Sequence, residues 1–146
     1  MARPNELALH LEPILPALRE RVFHAFTRAE DLVKWWGPHE FTIPEVDFTP
    51  RTSGTYRIAM QPPDGDLFHL RGEFREVVRP ERLVYTFRWD PPDPDDIENV
   101  VTLEFLDRGD STVLVLHQAP FATDARLELH RDGWTESFGR LLDVLL

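Results

Sequence analysis

Residues 123–146, TDARLELHRDGWTESFGRLLDVLL, carry apolar side chains at helical spacing and contain no proline. At about 100° per residue, the main apolar side chains fall within roughly 40° of one line along a helix. These side chains are Leu127, Trp134, Phe138, Leu141 and Leu145. Because an apolar stripe must be covered, the pattern predicts a long closing helix packed on the structure that precedes it.

The surface for that helix is expected from the preceding residues, which alternate apolar and polar side chains over short segments. Strands are predicted over residues 6–11, 41–48, 55–61, 68–78, 83–89, 99–105 and 112–118. The segment 41–48 is expected at a sheet edge, because Pro44 has no N–H for a central ladder. Strands grouped apart from helices predict an α+β fold, with a curved antiparallel sheet of about six to seven strands under the C-terminal helix.

Two short helices are predicted between the first and second strands. Pro16 suits the first turn of the earlier helix, where a missing N–H does no harm. Thr27 and Glu30 have the spacing of a capping box, which predicts a second helix over residues 28–35. Gly37-Pro38 is expected to end it.

Residues 90–96, DPPDPDD, are acidic and rich in proline. Such a segment is expected neither to pair with a strand nor to pack on the core, so we predict a mobile loop. It lacks the glycine and the closing glutamate of an EF-hand loop, so calcium binding is not expected.

Length and composition narrow the class of protein. A chain of 146 residues with 42% hydrophobic content fits one globular domain over residues 1–146. No apolar run approaches the roughly 20 residues that span a bilayer, and the first residues lack the pattern of a secretory signal. Without cysteine, neither disulfides nor thiolate chemistry is available, and the cytoplasm is the expected location.

Charge and histidine placement argue against two further classes. A formal net charge of −10 repels phosphate backbones, so no nucleic-acid partner is expected. The six histidines are scattered and no H-E-x-x-H pair occurs, so neither a metal site nor another cofactor is expected.

Three local motifs resemble a known family. They are KWWGP at residues 34–38, GEF at 72–74 followed by PERLV at 80–84, and GWTES at 133–137. Their order and spacing are similar to those of the SRPBCC superfamily of START-like and birch-pollen-allergen-like proteins, and within it to bacterial homologues of the activator of the Hsp90 ATPase. The resemblance implies a helix-grip fold with a deep apolar cavity between sheet and last helix, which binds lipids or other hydrophobic molecules. Gln118 stands where family members often carry histidine, which removes one possible acid or base.

The side chains expected at such a cavity are large aromatics and a few inward polar groups. The aromatic candidates are Trp35, Trp36, Phe87, Trp89, Trp134 and Phe138. The polar candidates are Tyr56, Tyr85, Asn99, Gln118 and His130. Core packing is the alternative for each aromatic ring. Trp35 and Trp36 point about 100° apart on a helix, so they are not expected to be buried in the same way.

Gly133 and His130 bear on whether the cavity exists. Glycine in mid-helix costs about 1 kcal/mol against alanine, and His130 lies at the edge of the apolar stripe. One interpretation is an exposed glycine beside a hydrogen-bonded boundary histidine. The other is a pocket beneath the helix, with Trp134 in its wall.

Three functions remain open. The first is binding of a small hydrophobic molecule, with Trp89 and Trp134 as walls and His130 or Gln118 as a polar handle. The second is a cyclase or isomerase in which His130 moves a proton. An acyl-enzyme hydrolase is not expected, because the chain has neither a G-x-S-x-G elbow nor a cysteine nucleophile. The third is a chaperone-binding module of a stress response, with residues 90–98 or exposed Trp35 and Trp36 as the contact. The chain is expected to be a monomer or a homodimer.

Overall fold

A computed structural model describes residues 6–146. The strands are β1 Leu7–Leu11, β2 Ile14–Leu15, β3 Val46–Phe48, β4 Thr55–Met60, β5 Phe68–Val78, β6 Arg82–Asp90, β7 Asn99–Arg108 and β8 Ser111–Phe121. The helices are α1 Arg19–Thr27, α2 Ala29–Trp35 and α3 Asp124–Leu145. Each predicted strand and helix has a counterpart in the structure. The additional strand β2 has two residues, which are too few to show an alternating pattern in the sequence.

The strands form one antiparallel sheet in the order β1-β8-β7-β6-β5-β4-β3, and β2 also pairs with β8. From β3 to β8, consecutive strands are neighbours, which is the arrangement that short connections favour. Together with the long C-terminal helix and the two short helices, this sheet confirms the predicted α+β helix-grip fold.

The inner face of the sheet follows from the alternation of apolar side chains along the strands. On β6, Leu83, Tyr85 and Phe87 are all buried, while Arg88 between the last two inward positions of that strand is exposed. The short helices close one end of this face, where Phe23 and Trp35 are at most 1% exposed. Burying one such side chain stabilises the fold by about 1.5–3 kcal/mol.

The first helix starts later than predicted. Leu15 still pairs with Thr112 in the sheet, so α1 begins at Arg19 and Pro16 lies in the connection before it. Proline is compatible with that connection as well as with a first turn, which is why the pattern did not distinguish them.

The capping box predicted at Thr27 is wrong. The Thr27 hydroxyl donates to the carbonyl oxygen of Phe23 at 2.8 Å, inside the last turn of α1. Arg28 precedes α2 and makes no side-chain capping bond. A threonine hydroxyl in a helix reaches the carbonyl of the preceding turn, and this local bond replaced the cap.

The segment 41–48 lies at the sheet edge as predicted, but it forms a shorter strand. Thr42 makes an isolated bridge with Gln61, and regular pairing starts only at Val46. Pro44 lies between the two and lacks the N–H that the ladder requires.

The closing helix α3 begins where the sequence indicated. Thr123 is the N-cap, and its hydroxyl accepts a hydrogen bond from the N–H of Arg126 at 3.1 Å. The buried residues of the helix are Leu127, His130, Trp134, Ser137, Phe138 and Leu141. The predicted stripe is therefore present, and His130 belongs to it.

Candidate functional site

A cleft of about 690 Å³ separates the N-terminal part of α3 from β5 and β6. Small-molecule sites commonly have volumes of roughly 300–1,000 Å³. The apolar walls are Pro38, Phe41, Met60, Phe68, Phe87, Trp89, Leu129, Trp134 and, from the end of α2, Trp36. Leu67 and Leu129 at the mouth are 42% and 55% exposed, so the cleft opens to solvent.

The wall on the sheet side is a cluster of perpendicular rings. Phe87 and Trp89 share a face of β6 because they are two residues apart. Their ring centroids are 5.1 Å apart at 90°, and Phe68 on the neighbouring strand lies 5.4 Å from Trp89. Edge-to-face contacts at these distances are among the arrangements that aromatic pairs prefer.

Gly133 lies on the helix side of the same cleft. A Cβ built at this position would meet no atom within 4 Å, and the residue is part of the cleft lining. Any larger side chain here has room only in the cleft or in solvent.

Trp134 is held by a buried chain of side-chain hydrogen bonds. Its indole N–H donates to Oε1 of Gln118 at 2.8 Å, and the amide Nε2 of Gln118 donates to Oδ1 of Asn99 at 2.9 Å. Gln118 is fully buried and Asn99 is 4% exposed. These two amides therefore fix the helix to β7 and β8, and neither of them lines the cleft.

Both ring nitrogens of His130 are occupied. Nδ1 lies 2.8 Å from the carbonyl oxygen of Arg126, so this nitrogen carries the proton and donates it. Nε2 then accepts from the indole N–H of Trp89 at 3.0 Å. Burial lowers the pKa of His130 below 6.5, against the opposing bond to the Arg126 carbonyl and the charge of Asp96. The histidine is therefore neutral at physiological pH.

The acidic segment 90–96 is ion-paired with the start of α3, so the expectation that it would neither pair nor pack was wrong. Arg126 pairs with Asp93, with Asp95 at 2.9 Å and with Asp96 at 3.4 Å. The hydrogen bond from Arg126 lowers the pKa of Asp95. Arg126, which is distant in sequence, provides the positive charge that residues 90–96 themselves lack.

The connection after α2 is fastened to α3 by three side chains. The N–H of Gly37 donates to Oγ of Ser137 at 3.1 Å, and the N–H of His39 donates to Oε2 of Glu136 at 3.2 Å. Nη1 of Arg140 donates to the carbonyl oxygens of Trp36, Gly37 and Pro38 at 2.9–3.2 Å. Gly37 has φ +92°, a conformation that glycine adopts without steric cost.

Gly72 is required by a close approach in the sheet. A Cβ at this position would lie 2.0 Å from the carbonyl oxygen of Thr86 and 2.7 Å from the ring of Tyr56. The Tyr56 hydroxyl passes over the glycine and donates to that same Thr86 oxygen at 2.7 Å. Burial, with smaller contributions from Tyr85 and Glu98, raises the pKa of Tyr56 well above its ordinary value. Burial also raises the pKa of Tyr85.

A family model described as "Activator of Hsp90 ATPase homolog 1-like protein" matches residues 16–146. The chain belongs to this family. Hereafter it is called the AHSA1-like family. The resemblance inferred from KWWGP, GEF…PERLV and GWTES is thereby confirmed.

Solved structures of similar proteins agree over nearly the whole chain. A protein from Chromobacterium violaceum is 27% identical with a TM-score of 0.86, covering 98% of each chain. The AHSA1 protein from Silicibacter pomeroyi is 25% identical with a TM-score of 0.81, covering 93% of this chain and 95% of its own. A protein from Nitrosomonas europaea is 25% identical with a TM-score of 0.81, covering 98% and 96%. Comparison with curated proteins gives no significant match.

In this AHSA1-like chain, two of the three motifs meet in space. KWWGP forms the connection after α2, and GWTES supplies the Glu136 and Ser137 side chains that bind it. GEF contains Gly72, where the Tyr56 ring requires the absence of a Cβ. KWWGP and GWTES therefore hold α3 against the connection after α2, and both contribute residues to the cleft lining.

The predicted site residues of this AHSA1-like protein divide into two groups. Those that line the cleft are Trp36, Phe87, Trp89, His130 and Trp134. Those that lie outside its lining are Trp35, Tyr56, Tyr85, Asn99, Gln118 and Phe138. Tyr56 and Tyr85 instead border a small void of about 20 Å³ deeper in the core. Trp35 and Trp36 are both buried, Trp35 within the core and Trp36 beside Trp134, where the ring centroids are 5.4 Å apart.

Several residues of the site were missed by sequence reasoning. Met60 and Phe68 had the correct alternation, but nothing in the pattern separated cleft walls from ordinary core. Arg126 and Arg140 look like solvated helix positions, and their partners lie on other elements. Only the fold brings those partners within reach.

The described residues support neither a metal site nor a membrane-spanning helix. Within 6–146, no group of three or more histidine, aspartate or glutamate side chains is arranged to hold a metal ion. In the same range, no helix combines the length and the apolar character needed to cross a bilayer.

Proposed function

We propose that this AHSA1-like protein binds a small, largely apolar molecule in the cleft between α3, β5 and β6. The observation that carries the proposal is an open, aromatic-walled space of about 690 Å³ beside a buried hydrophobic core. Concave, mostly apolar clefts of this size with a few polar groups are the usual location of small-molecule sites.

The lining supports an apolar ligand of modest affinity. A molecule that buried about 200 Å² of apolar surface would gain about 5 kcal/mol before the costs of association are subtracted. Dissociation constants of about 0.2 mM or weaker are therefore expected for simple aromatic probes.

A cyclase or isomerase in this cleft is less well supported than binding. General acid or base catalysis needs a group that is free to move a proton at the ligand. Both nitrogens of His130 are engaged, and the Tyr56 hydroxyl is bonded to Thr86 outside the cleft. We therefore favour binding without turnover.

The chaperone-binding alternative loses one of its two proposed contacts. Trp35 is fully buried and Trp36 is 7% exposed, so the expectation that they form an exposed patch is wrong. The acidic segment remains accessible in part, since the Asp93 side chain is 65% exposed, but its carboxylates face Arg126 of the same chain. Nothing in this geometry favours a chaperone over a ligand.

The proposal is tested by filling the cleft from Gly133. Gly133→Leu places a side chain in the space where a Cβ meets no atom within 4 Å, and Gly139→Leu on the same helix is the matched control outside the lining. The probe is the uncharged fluorophore N-phenyl-naphthylamine, whose emission rises in apolar surroundings. Gly133→Leu is expected to weaken probe binding about tenfold or more, whereas Gly139→Leu should bind like the parent.

Two results would overturn the proposal. One is equal probe affinity for the two leucine variants, with circular dichroism showing that both are folded. The other is no detectable binding of the probe to the parent chain. Native mass spectrometry of the protein from its own host provides a second, independent reading of any co-purifying molecule.

A further inference from the structure

The faces and edges of several aromatic rings surround the cleft. Four of them are Phe68, Phe87, Trp89 and Trp134, and all belong to the lining. The negative π-face of an aromatic ring attracts organic cations, and tryptophan is the strongest of the natural side chains in this respect. An aromatic lining is therefore compatible with a positively charged ligand as well as with a neutral one.

The basic groups of the cleft are already neutralised or neutral. Arg126 is the one lysine or arginine among the lining residues, and three aspartates of segment 90–96 hold it. His130 is uncharged, with both nitrogens occupied. Among the described residues that line the cleft, none is left to pair with the carboxylate or phosphate of an anionic ligand.

The mouth of the cleft carries carboxylates that lack basic partners. Asp66 and Asp132 line the mouth and are exposed, and neither forms an ion pair with any described residue. Glu136 also belongs to the lining and accepts one hydrogen bond, from the N–H of His39. The chain as a whole has a net charge of −10, so its field adds to that of the mouth.

We propose that the cleft selects amphipathic organic cations: molecules with an apolar, preferably aromatic, body and an amine or quaternary ammonium group that remains at the carboxylate-lined mouth. This inference rests on the proposed function and names the chemical class of its ligand. The apolar body supplies most of the affinity, and the charge supplies the selectivity.

Three probes with the same apolar body isolate the contribution of charge. Naphthylmethylamine is a cation at neutral pH, naphthylmethanol is uncharged, and naphthoate is an anion. Isothermal titration at low ionic strength should give the order amine, alcohol, acid, with the amine on the order of tenfold tighter than the acid. The preference should shrink as sodium chloride is raised, because salt screens exposed charges.

A charge-matched pair of variants assigns the preference to the mouth. Asp66→Asn combined with Asp132→Asn removes the unpaired carboxylates from the lining. Asp110→Asn combined with Asp143→Asn removes the same formal charge from exposed positions outside it. The first double variant is expected to lose most of the amine preference while binding the alcohol normally, and the second is expected to retain the preference.

The outcomes separate this inference from the proposed function. If the alcohol and the acid bind as tightly as the amine, or if both double variants retain the same amine preference, the cleft is a binding site without charge selection and the inference is overturned. If none of the three probes binds the parent chain, the proposed function fails and the inference fails with it.

Discussion

The two halves of α3 carry the same apolar stripe but meet different surroundings. Toward the C-terminus, Leu141 is fully buried and Arg140 fastens the helix to the connection after α2. Toward the N-terminus, Gly133 and Leu129 border open space. One half is part of a solid core, and the other is the roof of a cleft.

This difference shows that an apolar helical stripe does not specify close packing along its whole length. The C-terminal half meets α2, where Nη2 of Arg140 donates to the carbonyl oxygen of Lys34 at 3.3 Å. The N-terminal half spans β5 and β6, where the rings of Phe68, Phe87 and Trp89 stand edge to face. The N-terminal half is bonded to the sheet through Trp134 and His130, and it still leaves the cleft open over β5 and β6.

The largest expected contrast comes from the same substitution made in each half. Leu141→Ala should lower the free energy of unfolding by about 2–5 kcal/mol, because it removes a fully buried side chain and leaves a cavity. Leu129→Ala should change it by no more than about 0.5 kcal/mol, because Leu129 is 55% exposed. Urea denaturation measures both. Similar losses for the two variants would show that the N-terminal half is packed after all.

A double-mutant cycle tests how the N-terminal half is held. Trp134→Phe leaves the buried Oε1 of Gln118 without its donor and should cost about 1–3 kcal/mol. Adding Gln118→Met removes that stranded acceptor, so the double variant should be more stable than the sum of the single losses implies. Additive losses would indicate that the hydrogen bond does not tie helix to sheet.

The pH dependence of stability is a smaller effect with a defined sign. Because the pKa of folded His130 lies below 6.5, the unfolded chain binds its proton first as pH falls. The contribution of His130 is therefore complete above about pH 6.5 and is lost progressively as pH decreases through the lower folded pKa. His130→Gln should flatten this part of the pH profile of the unfolding free energy.

The matched control for that profile is His10→Gln, which alters a histidine whose side chain is 55% exposed. This variant controls for the removal of one imidazole at an exposed position outside the cleft lining. Nitrogen chemical shifts of His130 offer a direct reading, since protonated Nδ1 and unprotonated Nε2 are expected at neutral pH. A protonated Nε2 with an unprotonated Nδ1 would contradict the hydrogen-bonded state on which the prediction for His130→Gln rests.

The smallest expected effect compares alanine at the two helical glycines. Gly133→Ala and Gly139→Ala should each stabilise the helix by up to about 1 kcal/mol, because neither new methyl group meets a neighbour within 4 Å. Of the two, Gly133→Ala alone adds a group to the cleft lining, so it alone should alter the affinity for N-phenyl-naphthylamine. A shift of equal size in Gly139→Ala would contradict the difference between the halves.

Much of the fold was accessible from the sequence because it depends on local periodicity. The alternation of residues 68–74 predicted a strand over 68–78, and β5 has the same bounds. The errors lie where two local solutions compete, as at Thr27, whose hydroxyl bonds backward to Phe23 instead of capping α2. The prediction for segment 90–96 was wrong for a different reason, since its partner Arg126 is distant in sequence.

For the candidate site, the sequence identified residue types better than their roles. Gln118 and Asn99 point inward as alternation predicted. Gln118, however, bonds to Trp134, and Asn99 bonds to Gln118. Neither amide belongs to the cleft lining. His130 is inward as well, but Trp89 occupies the nitrogen that a ligand would need. Alternation gives the face of a strand, whereas the identity of the neighbour depends on how far the helix stands from the sheet.

By itself, the sequence determined the order of elements, the inner and outer faces of each strand, and membership of the AHSA1-like family. Those properties depend on side-chain period and on motifs, which are written along the chain. The tertiary structure alone decided that α3 packs tightly near Leu141 and remains apart near Gly133. It also decided that Arg126 is paired, because volume and charge pairing are set by distances between residues far apart in sequence.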